Sequence, residues 1–193
     1  MTISSATSDS LLTRRTTVAL AVIWFSFLTT LWLMGRQWLS DSGFGLWAGA
    51  WTKNTSQWIA DPYTTSHVLH GIFFFWFLLP LARWLNLSWR FVAATCVEMC
   101  WELLENSPTI IERYRTATAA LDYFGDSILN STCDVLAAQL GFCLAWQLGW
   151  RWMLVVILVV ELLMLYLVRD NLTLNVLMLV WPSPAIKQWQ MGI

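Results

Sequence analysis

Residues 89–106, WRFVAATCVEMCWELLEN, form an apolar stretch of helical length with three glutamates in its second half. Glu98, Glu102 and Glu105 belong to a chain that has only 12 acidic residues among its 193. At about 100° per residue, the three side chains lie on one stripe of a helix. Because an acidic side chain that faces lipid costs about 2.5 to 3.5 kcal/mol, this stripe predicts carboxyl groups that face other helices or a wet cavity.

The composition around this stretch is typical of a membrane protein. The chain is 58% hydrophobic and 12% charged, with 15 Trp and 10 Phe, whereas a soluble domain carries about 25% charged residues. Its net charge of −1 argues against nucleic acid as a partner. The four cysteines lie in apolar runs, which favours reduced thiols over a structural disulfide. Because the apolar runs use most of the chain, we expect a single integral membrane domain over residues 1–193.

The apolar runs predict an all-α, polytopic helix bundle of about five transmembrane helices with additional interfacial or re-entrant segments. The predicted spans are residues 16–35, 65–84, 89–106, 127–148 and 150–168. The first run also suits a signal peptide, but its bulky end, TTLWLMGRQW, favours a retained anchor. A last apolar segment, residues 172–181, is too short to cross and is expected to be re-entrant or interfacial.

The long loop of residues 37–64 is rich in aromatic rings. Such rings favour the headgroup layer, so we expect this loop to lie on the membrane rather than to reach into water. An aromatic belt is the plainer interpretation, and a lipid-binding lid is the alternative.

Five spans divide the basic residues almost evenly between the two faces of the membrane. The amino-terminal face carries Arg14, Arg15, Arg83, Arg90 and Arg151, and the opposite face carries Arg36, Lys53, Arg113, Arg115, Arg169 and Lys187. The first face holds its basic residues in short loops, so we expect the amino terminus in the cytoplasm.

Polar side chains from four predicted spans gather at the end of the bundle opposite the amino terminus. Asp126, Asn130 and Asp134 are four residues apart each time and form a second helical stripe. His67 and His70 lie at the same end of another span. The pattern therefore predicts one polar cavity onto which four carboxyl groups face, those of Glu98, Glu102, Asp126 and Asp134.

These residues suit three kinds of chemistry. The carboxyl groups of Glu98, Glu102, Glu105, Asp126 and Asp134 are candidates for acid–base catalysis. His67 and His70 are spaced as candidate ligands for a transition metal such as zinc, manganese or iron. The candidates for ligand binding, above all of phosphate, are Arg113, Arg115, Arg169 and Asn130. Each group also has a structural alternative, because buried polar side chains can bond to neighbouring helices and the arginines can pair with acidic groups.

Four long motifs carry a resemblance to a known family: DPYTTSHVLHG, CWELLENSPTIIERYR, LDYFGDSILNSTCD and RDNLTLNVLMLVWP. Over about residues 35–190 the chain resembles an uncharacterised family of small bacterial multi-pass inner-membrane proteins. This resemblance implies a location in the bacterial inner membrane and nothing about chemistry. The order of histidines, a Glu-rich helix, and Asp and Asn in a later helix before a glycine also resembles the VanZ-like proteins, named for teicoplanin resistance.

Two classes of function stay open from the sequence, with a third that leaves no trace in it. The first is a hydrolase or transferase that acts on a lipid or lipid-linked substrate at the membrane surface, with membrane lipid as its partner. The second is a proton- or ion-binding component of a transporter that uses Glu98, Asp134 and Glu161. The third is an assembly factor for a membrane complex, and an oligomer or a partner protein is compatible with all three. The aromatic loop and the arginines favour a lipid-like ligand that enters sideways from the leaflet.

Overall fold

The computed structural model describes residues 10–41 and 43–192, and within them the regular elements are helices, which confirms the predicted all-α class. The helices are α1 (Arg14–Leu33), α2 (Thr64–Phe77), α3 (Leu87–Glu105), α4 (Pro108–Ala117), α5 (Ile128–Gln147), α6 (Trp150–Val168), α7 (Leu172–Val180) and α8 (Pro184–Met191). The predicted domain, residues 1–193, also includes residues 1–9, 42 and 193, which lie outside the described residues.

Three helices of the described chain, α1, α5 and α6, are long and apolar enough to cross a membrane. The predicted count of five spans is therefore not confirmed. The predicted span 65–84 is interrupted, because α2 has only 14 residues and is followed by a 3-10 turn, Leu79–Arg83, that contains Pro80. α3 has 19 residues, close to the predicted 89–106, but it carries four charged side chains.

α5 is the central helix of the bundle. It packs most extensively against α2 and also contacts α1, α3 and α6. Large apolar side chains of α1 and α6, by contrast, point outward, as Phe25 and Tyr166 do. Outward apolar faces suit lipid contact, whereas the buried α5 brings its polar stripe into the interior of the bundle.

Two glycines let the backbones of α2 and α5 touch. A Cβ atom on Gly71 would lie 1.8 Å from the carbonyl oxygen of Ala138, and one on Gly141 would lie 2.0 Å from that of Val68. Small residues of this kind allow the closest packing of helices in membranes. The close contact sets the distance between the polar residues that precede the two glycines on their helices.

The loop between α1 and α2 is bound to the start of α5. The N–H groups of Ser127 and Ile128 donate to the carbonyl oxygens of Ser56 and Gln37 at 3.0 and 2.8 Å. The side chain of Gln57, which is buried, donates through Nε2 to Gly125 O at 2.8 Å. The loop thus supplies partners for N–H groups that the first turn of a helix leaves unpaired, and it is held against the bundle.

Glu161 on α6 has a structural role at the start of α7. Its carboxylate accepts hydrogen bonds from the N–H groups of Leu172 and Thr173 at 3.0 and 3.2 Å. An acidic group at a helix N-terminus is favoured by the helix dipole. The predicted short segment 172–181 accordingly forms the nine-residue helix α7, with Glu161 at its first turn.

Candidate functional site

His67 and His70 of α2 share one buried carboxylate. Nδ1 of His67 lies 2.5 Å from Oε1 of Glu98, and Nδ1 of His70 lies 3.1 Å from Oε2 of the same residue. The Glu98 side chain of α3 is 0% exposed. A carboxylate that accepts from Nδ1 fixes the ring and its tautomer, so the Nε2 atom of each ring is left for other partners.

Two further carboxylates surround His67. Oε1 of Glu102 lies 3.3 Å from Nδ1 of His67, and Oδ2 of Asp134 lies 3.9 Å from its Nε2. Both acidic side chains are buried. Among the described residues, neither oxygen of Glu102 has a hydrogen-bond partner, and neither does Oδ1 of Asp134. Burying a carboxylate without a partner is energetically unfavourable. The cluster would therefore be stabilised by more positive charge than its two imidazoles provide.

Asp126 is held at the start of α5 by the end of α3. Its N–H donates to Oδ1 of Asn106 at 2.7 Å, and its Oδ2 accepts from Nδ2 of Asn106 at 2.9 Å. The Tyr123 hydroxyl donates to the same carboxylate at 3.1 Å. Burial raises the pKa of Asp126 above its ordinary value, while the hydrogen bonds from Tyr123 and Asn106 act in the opposite direction. The two hydrogen bonds between Asn106 and Asp126 therefore hold the end of α3 against the start of α5. They fix the positions of the acidic residues of these two helices relative to each other.

A cavity of about 600 Å³ lies next to these groups, a volume within the usual range for ligand sites. Its polar side includes the side chains of His67, His70, Glu105, Asp126 and Asp134. Its apolar side includes Phe74, Val97, Trp101, Leu121, Phe124 and Val176. Of the apolar group, Val97, Leu121, Phe124 and Val176 are exposed, so the apolar side forms an open rim. Glu98 and Glu102 are not among the lining residues and sit behind the two histidine rings.

The comparisons with known proteins assign a family. Residues 31–192 match a family described as "Protein of unknown function (DUF2585)". The chain belongs to this family. It is 46% identical to a UPF0314 protein of Sinorhizobium fredii over 200 residues, which covers 100% of each chain. It is 45% identical to a UPF0314 protein of Paracoccus denitrificans over 185 residues, covering 94% of this chain and 96% of that one.

A UPF0314 protein of Rhizobium meliloti is 49% identical over 163 residues, or 83% of each chain. No solved structure matches the chain significantly. The matches confirm the predicted membership of an uncharacterised bacterial family, and the more distant resemblance to VanZ-like proteins is not confirmed by them.

The predicted ligand-binding residues of this DUF2585 protein are not among the residues that line the cavity. Their side chains donate to backbone carbonyl oxygens: Arg113 to Leu179, Arg115 to Tyr123, Arg169 to Trp189, and Asn130 to Trp58. Their role in holding a ligand stays a prediction. Of the lysines and arginines that the structure describes, Lys53 in the loop before α2 is the one that lines the cavity.

Sequence reasoning missed the part of the site that the loop contributes. Asp61 lines the cavity and accepts hydrogen bonds from the N–H groups of Ser56 and Tyr63, each at 2.7 Å. Burial raises the pKa of Asp61 above its ordinary value. The sequence DPYT was an available signal, because an Asp followed by Pro is typical of the start of a helix.

The cavity is also lined by residues of α4 and α7 and by Asp170 in the turn between α6 and α7. The Tyr114 hydroxyl of α4 donates to Oδ1 of Asn175 on α7 at 3.0 Å, and both residues line the cavity. Asp170, between α6 and α7, accepts from the Tyr63 hydroxyl at 3.3 Å and from Nε2 of Gln190 on α8 at 3.0 Å. These bonds join α4 to α7, and α8 to the turn before α7, at the cavity wall.

Asp170 predicts a specific dependence of stability on pH. Burial raises its pKa to about 6, although its hydrogen bonds act in the opposite direction. A carboxyl with a raised pKa in the folded state stabilises the fold at low pH, and this contribution is lost as the pH rises through about 6. We expect the melting midpoint of Asp170→Asn, relative to the unsubstituted protein, to rise between about pH 5 and about pH 7. The matched control is Asp41→Asn at an exposed loop position, and an equal profile for both variants would contradict this prediction.

Proposed function

We propose that this DUF2585 protein is an enzyme of the bacterial inner membrane that hydrolyses a lipid or lipid-linked substrate, or transfers a group from it. One observation carries the proposal: a single cavity combines buried acid–base side chains with an exposed apolar rim. Acid–base groups suit the chemistry of a polar headgroup, and the rim suits the chains to which such a headgroup is attached.

The candidate general bases are His67 and His70. Glu98 occupies Nδ1 of both rings, so Nε2 is available to accept a proton from a water or hydroxyl group in the cavity. The oxygen that loses this proton forms a bond to a carbonyl carbon or a phosphorus atom of the substrate, and the bond from that atom to the leaving oxygen breaks. The leaving oxygen then takes a proton from a carboxyl group in its acid form, and Glu105 and Asp134 line the same cavity.

The apolar rim favours an amphiphile over a water-soluble substrate. Val97 on α3 and Val176 on α7 line the cavity and are each about half exposed, so apolar side chains flank its opening. Trp101 adds a large ring surface to the same side. An exposed amine at the cavity, that of Lys53, provides a partner for an acidic headgroup. The substrate then keeps its chains in the leaflet while its headgroup reaches the histidines.

The proposed location follows from the same features. Three helices are compatible with a membrane, and the two arginines at the start of α1, Arg14 and Arg15, favour a cytoplasmic amino terminus. In that orientation the end of α1, the loop before α2, the start of α5 and the end of α6 lie at the outer face of the inner membrane. The cavity would then receive substrate from the outer leaflet.

The test of the proposed function is lipid turnover by the full chain in vesicles made from inner-membrane lipids. Mass spectrometry should detect one lipid species that falls with time and a product that rises. His67→Gln should slow this change by about 100-fold or more, because it removes the proposed base. Glu112→Gln, at an exposed position of α4 outside the cavity lining, is the matched control and should react at the unsubstituted rate.

Size-exclusion chromatography of both variants checks that they fold. A lipid profile that the protein leaves unchanged would overturn the proposed reaction. Turnover at the same rate in His67→Gln would overturn the assignment of His67. Proton uptake into vesicles that His67→Gln abolishes, without any lipid product, would replace the enzyme by a transport component.

A further inference from the structure

The acidic cluster behind the cavity includes a carboxylate that shares its one close basic neighbour with a second carboxylate. Glu102 is 1% exposed, and both of its carboxylate oxygens are buried without a hydrogen-bond partner among the described residues. Its nearest basic neighbour is His67, whose Nδ1 lies 3.3 Å from Oε1. That same nitrogen is closer to Glu98, at 2.5 Å. The Nδ1 atom of His67 therefore bonds to Glu98, and Glu102 has no hydrogen bond to it.

The excess of negative charge extends beyond Glu102. Asp134 contributes another buried oxygen without a partner, and Glu105 lines the cavity next to the cluster. Two imidazoles carry at most two positive charges. Burying carboxylates without partners is unfavourable unless a cation or protons accompany them.

Three donor atoms lie close enough to share one cation. A nitrogen of His67, an oxygen of Glu102 and an oxygen of Glu105 all fall within 4.8 Å of one another. Metal–ligand bonds of about 2.0 to 2.2 Å place the ligand atoms of one ion about 3 to 4 Å apart, so small side-chain rotations complete the site. One imidazole with two carboxylates suits zinc or manganese, whereas magnesium and calcium prefer oxygen ligands throughout.

We propose that His67, Glu102 and Glu105 bind one divalent transition-metal ion, zinc or manganese, at the base of the cavity. Because His67 and Glu105 line the cavity, a coordination position faces the space that a substrate would occupy. Glu98 acts as a positioning residue that holds the His67 ring from behind. When the ion is bound, His67 and Glu105 are its ligands, so the proposed proton acceptor is His70 and the proposed proton donor is Asp134, which line the same cavity. The metal site goes beyond the proposed reaction, since a bound ion is retained whether or not the protein turns over lipid.

A second set of donor atoms shares His67. His67, His70 and Glu98 also fall within 4.8 Å of one another. In this set the carboxylate already accepts from both imidazoles, so its charge has partners in the protein alone. The unpartnered oxygens of Glu102 favour the first set.

The experiment measures metal content rather than activity. The full chain, purified in detergent without a polyhistidine tag, is stripped with a chelator and titrated with Zn²⁺ and Mn²⁺ separately. We expect about one ion per chain for one of the two metals, with a higher melting midpoint when it is bound. Glu102→Gln should bind at least about tenfold more weakly, and Glu112→Gln should bind as the unsubstituted protein does.

Glu98→Gln keeps an oxygen acceptor behind His67 and should retain the ion with only severalfold weaker binding. Failure of the unsubstituted protein to bind either metal would overturn the proposal, and so would equal binding by Glu102→Gln. Loss of the ion in Glu98→Gln with retention in Glu102→Gln would overturn this ligand set in favour of His67, His70 and Glu98. Glu102→Gln removes a buried charge without changing the size of the side chain, so its apo form should fold, which the melting midpoint checks.

Discussion

Gly71→Ala is expected to lower the stability of the protein by about 3 kcal/mol or more. The added Cβ atom would lie 1.8 Å from the carbonyl oxygen of Ala138 and 2.7 Å from the backbone nitrogen of Phe142. Both obstacles are backbone atoms of α5, so no side-chain rotation relieves the collision. α2 must therefore move away from α5, and the histidines on α2 move with it.

Thermal unfolding in detergent measures this effect. Gly141→Ala should be similarly destabilising, because its Cβ atom would lie 2.0 Å from the carbonyl oxygen of Val68. Gly149→Ala is the matched control, since a Cβ atom there has nothing within 4 Å, and its stability should change by less than about 1 kcal/mol. A midpoint for Gly71→Ala equal to that of Gly149→Ala would show that the two helices do not touch in this way.

The long apolar helices were predictable because polar residues or turns bound their apolar runs. Residues 16–35, 127–148 and 150–168 correspond within two residues to α1, α5 and α6. Ser127 shows the reason for one of these boundaries, since its hydroxyl accepts from the N–H of Asn130 and caps α5.

The second predicted span, residues 65–84, is not one continuous α-helix, because hydropathy does not register where a helix must stop. Residues 65–84 are apolar throughout the region of Pro80, yet the α-helix ends at Phe77 and a 3-10 turn follows. α4 was not predicted, although Ser107 and Pro108 are a typical start signal and Ser107 does cap the helix. In both cases a local signal was present, Pro80 in the first and Ser107 with Pro108 in the second. The prediction followed the apolar runs instead.

The sequence predicted which residues belong to the site better than it predicted which of them contact one another. The spacing of Glu98 and Glu102 places them on one side of α3, and the structure brings both to His67. Spacing along one helix does not tell which acid meets which partner on another helix, because that depends on how the two helices are rotated. Glu161 illustrates this limit, since its partners are N–H groups of α7.

The wall that the loop contributes to the cavity depends on long-range backbone bonds. Ser56 O accepts from the N–H of Ser127, and Gln57 reaches Gly125 across the chain. No pattern within residues 37–64 specifies these partners. The prediction of an aromatic loop at the headgroup layer was therefore silent on Asp61 and Lys53, which this loop brings to the cavity.

Val97→Trp is expected to reduce lipid binding in the cavity by about tenfold or more, because a large ring at the rim fills the opening. Val97 is 48% exposed and lines the cavity on α3. Val155 on α6 is also 48% exposed but does not line the cavity, so Val155→Trp is the matched control. Both substitutions replace an exposed valine, and the melting midpoints of the two variants check that each folds. A difference between the two variants therefore reports on access to the cavity and not on folding of the site.

Photolabelling detects directly whether a lipid headgroup reaches the histidines through the apolar rim. A phospholipid with a photoreactive group next to its headgroup is incorporated with the full chain into vesicles, and labelled peptides are identified by mass spectrometry. If the headgroup enters in this way, we expect label on cavity-lining residues such as Trp101 and Tyr114, lost in Val97→Trp and kept in Val155→Trp. Label confined to the outward faces of α1 and α6, and equal in both variants, would contradict it.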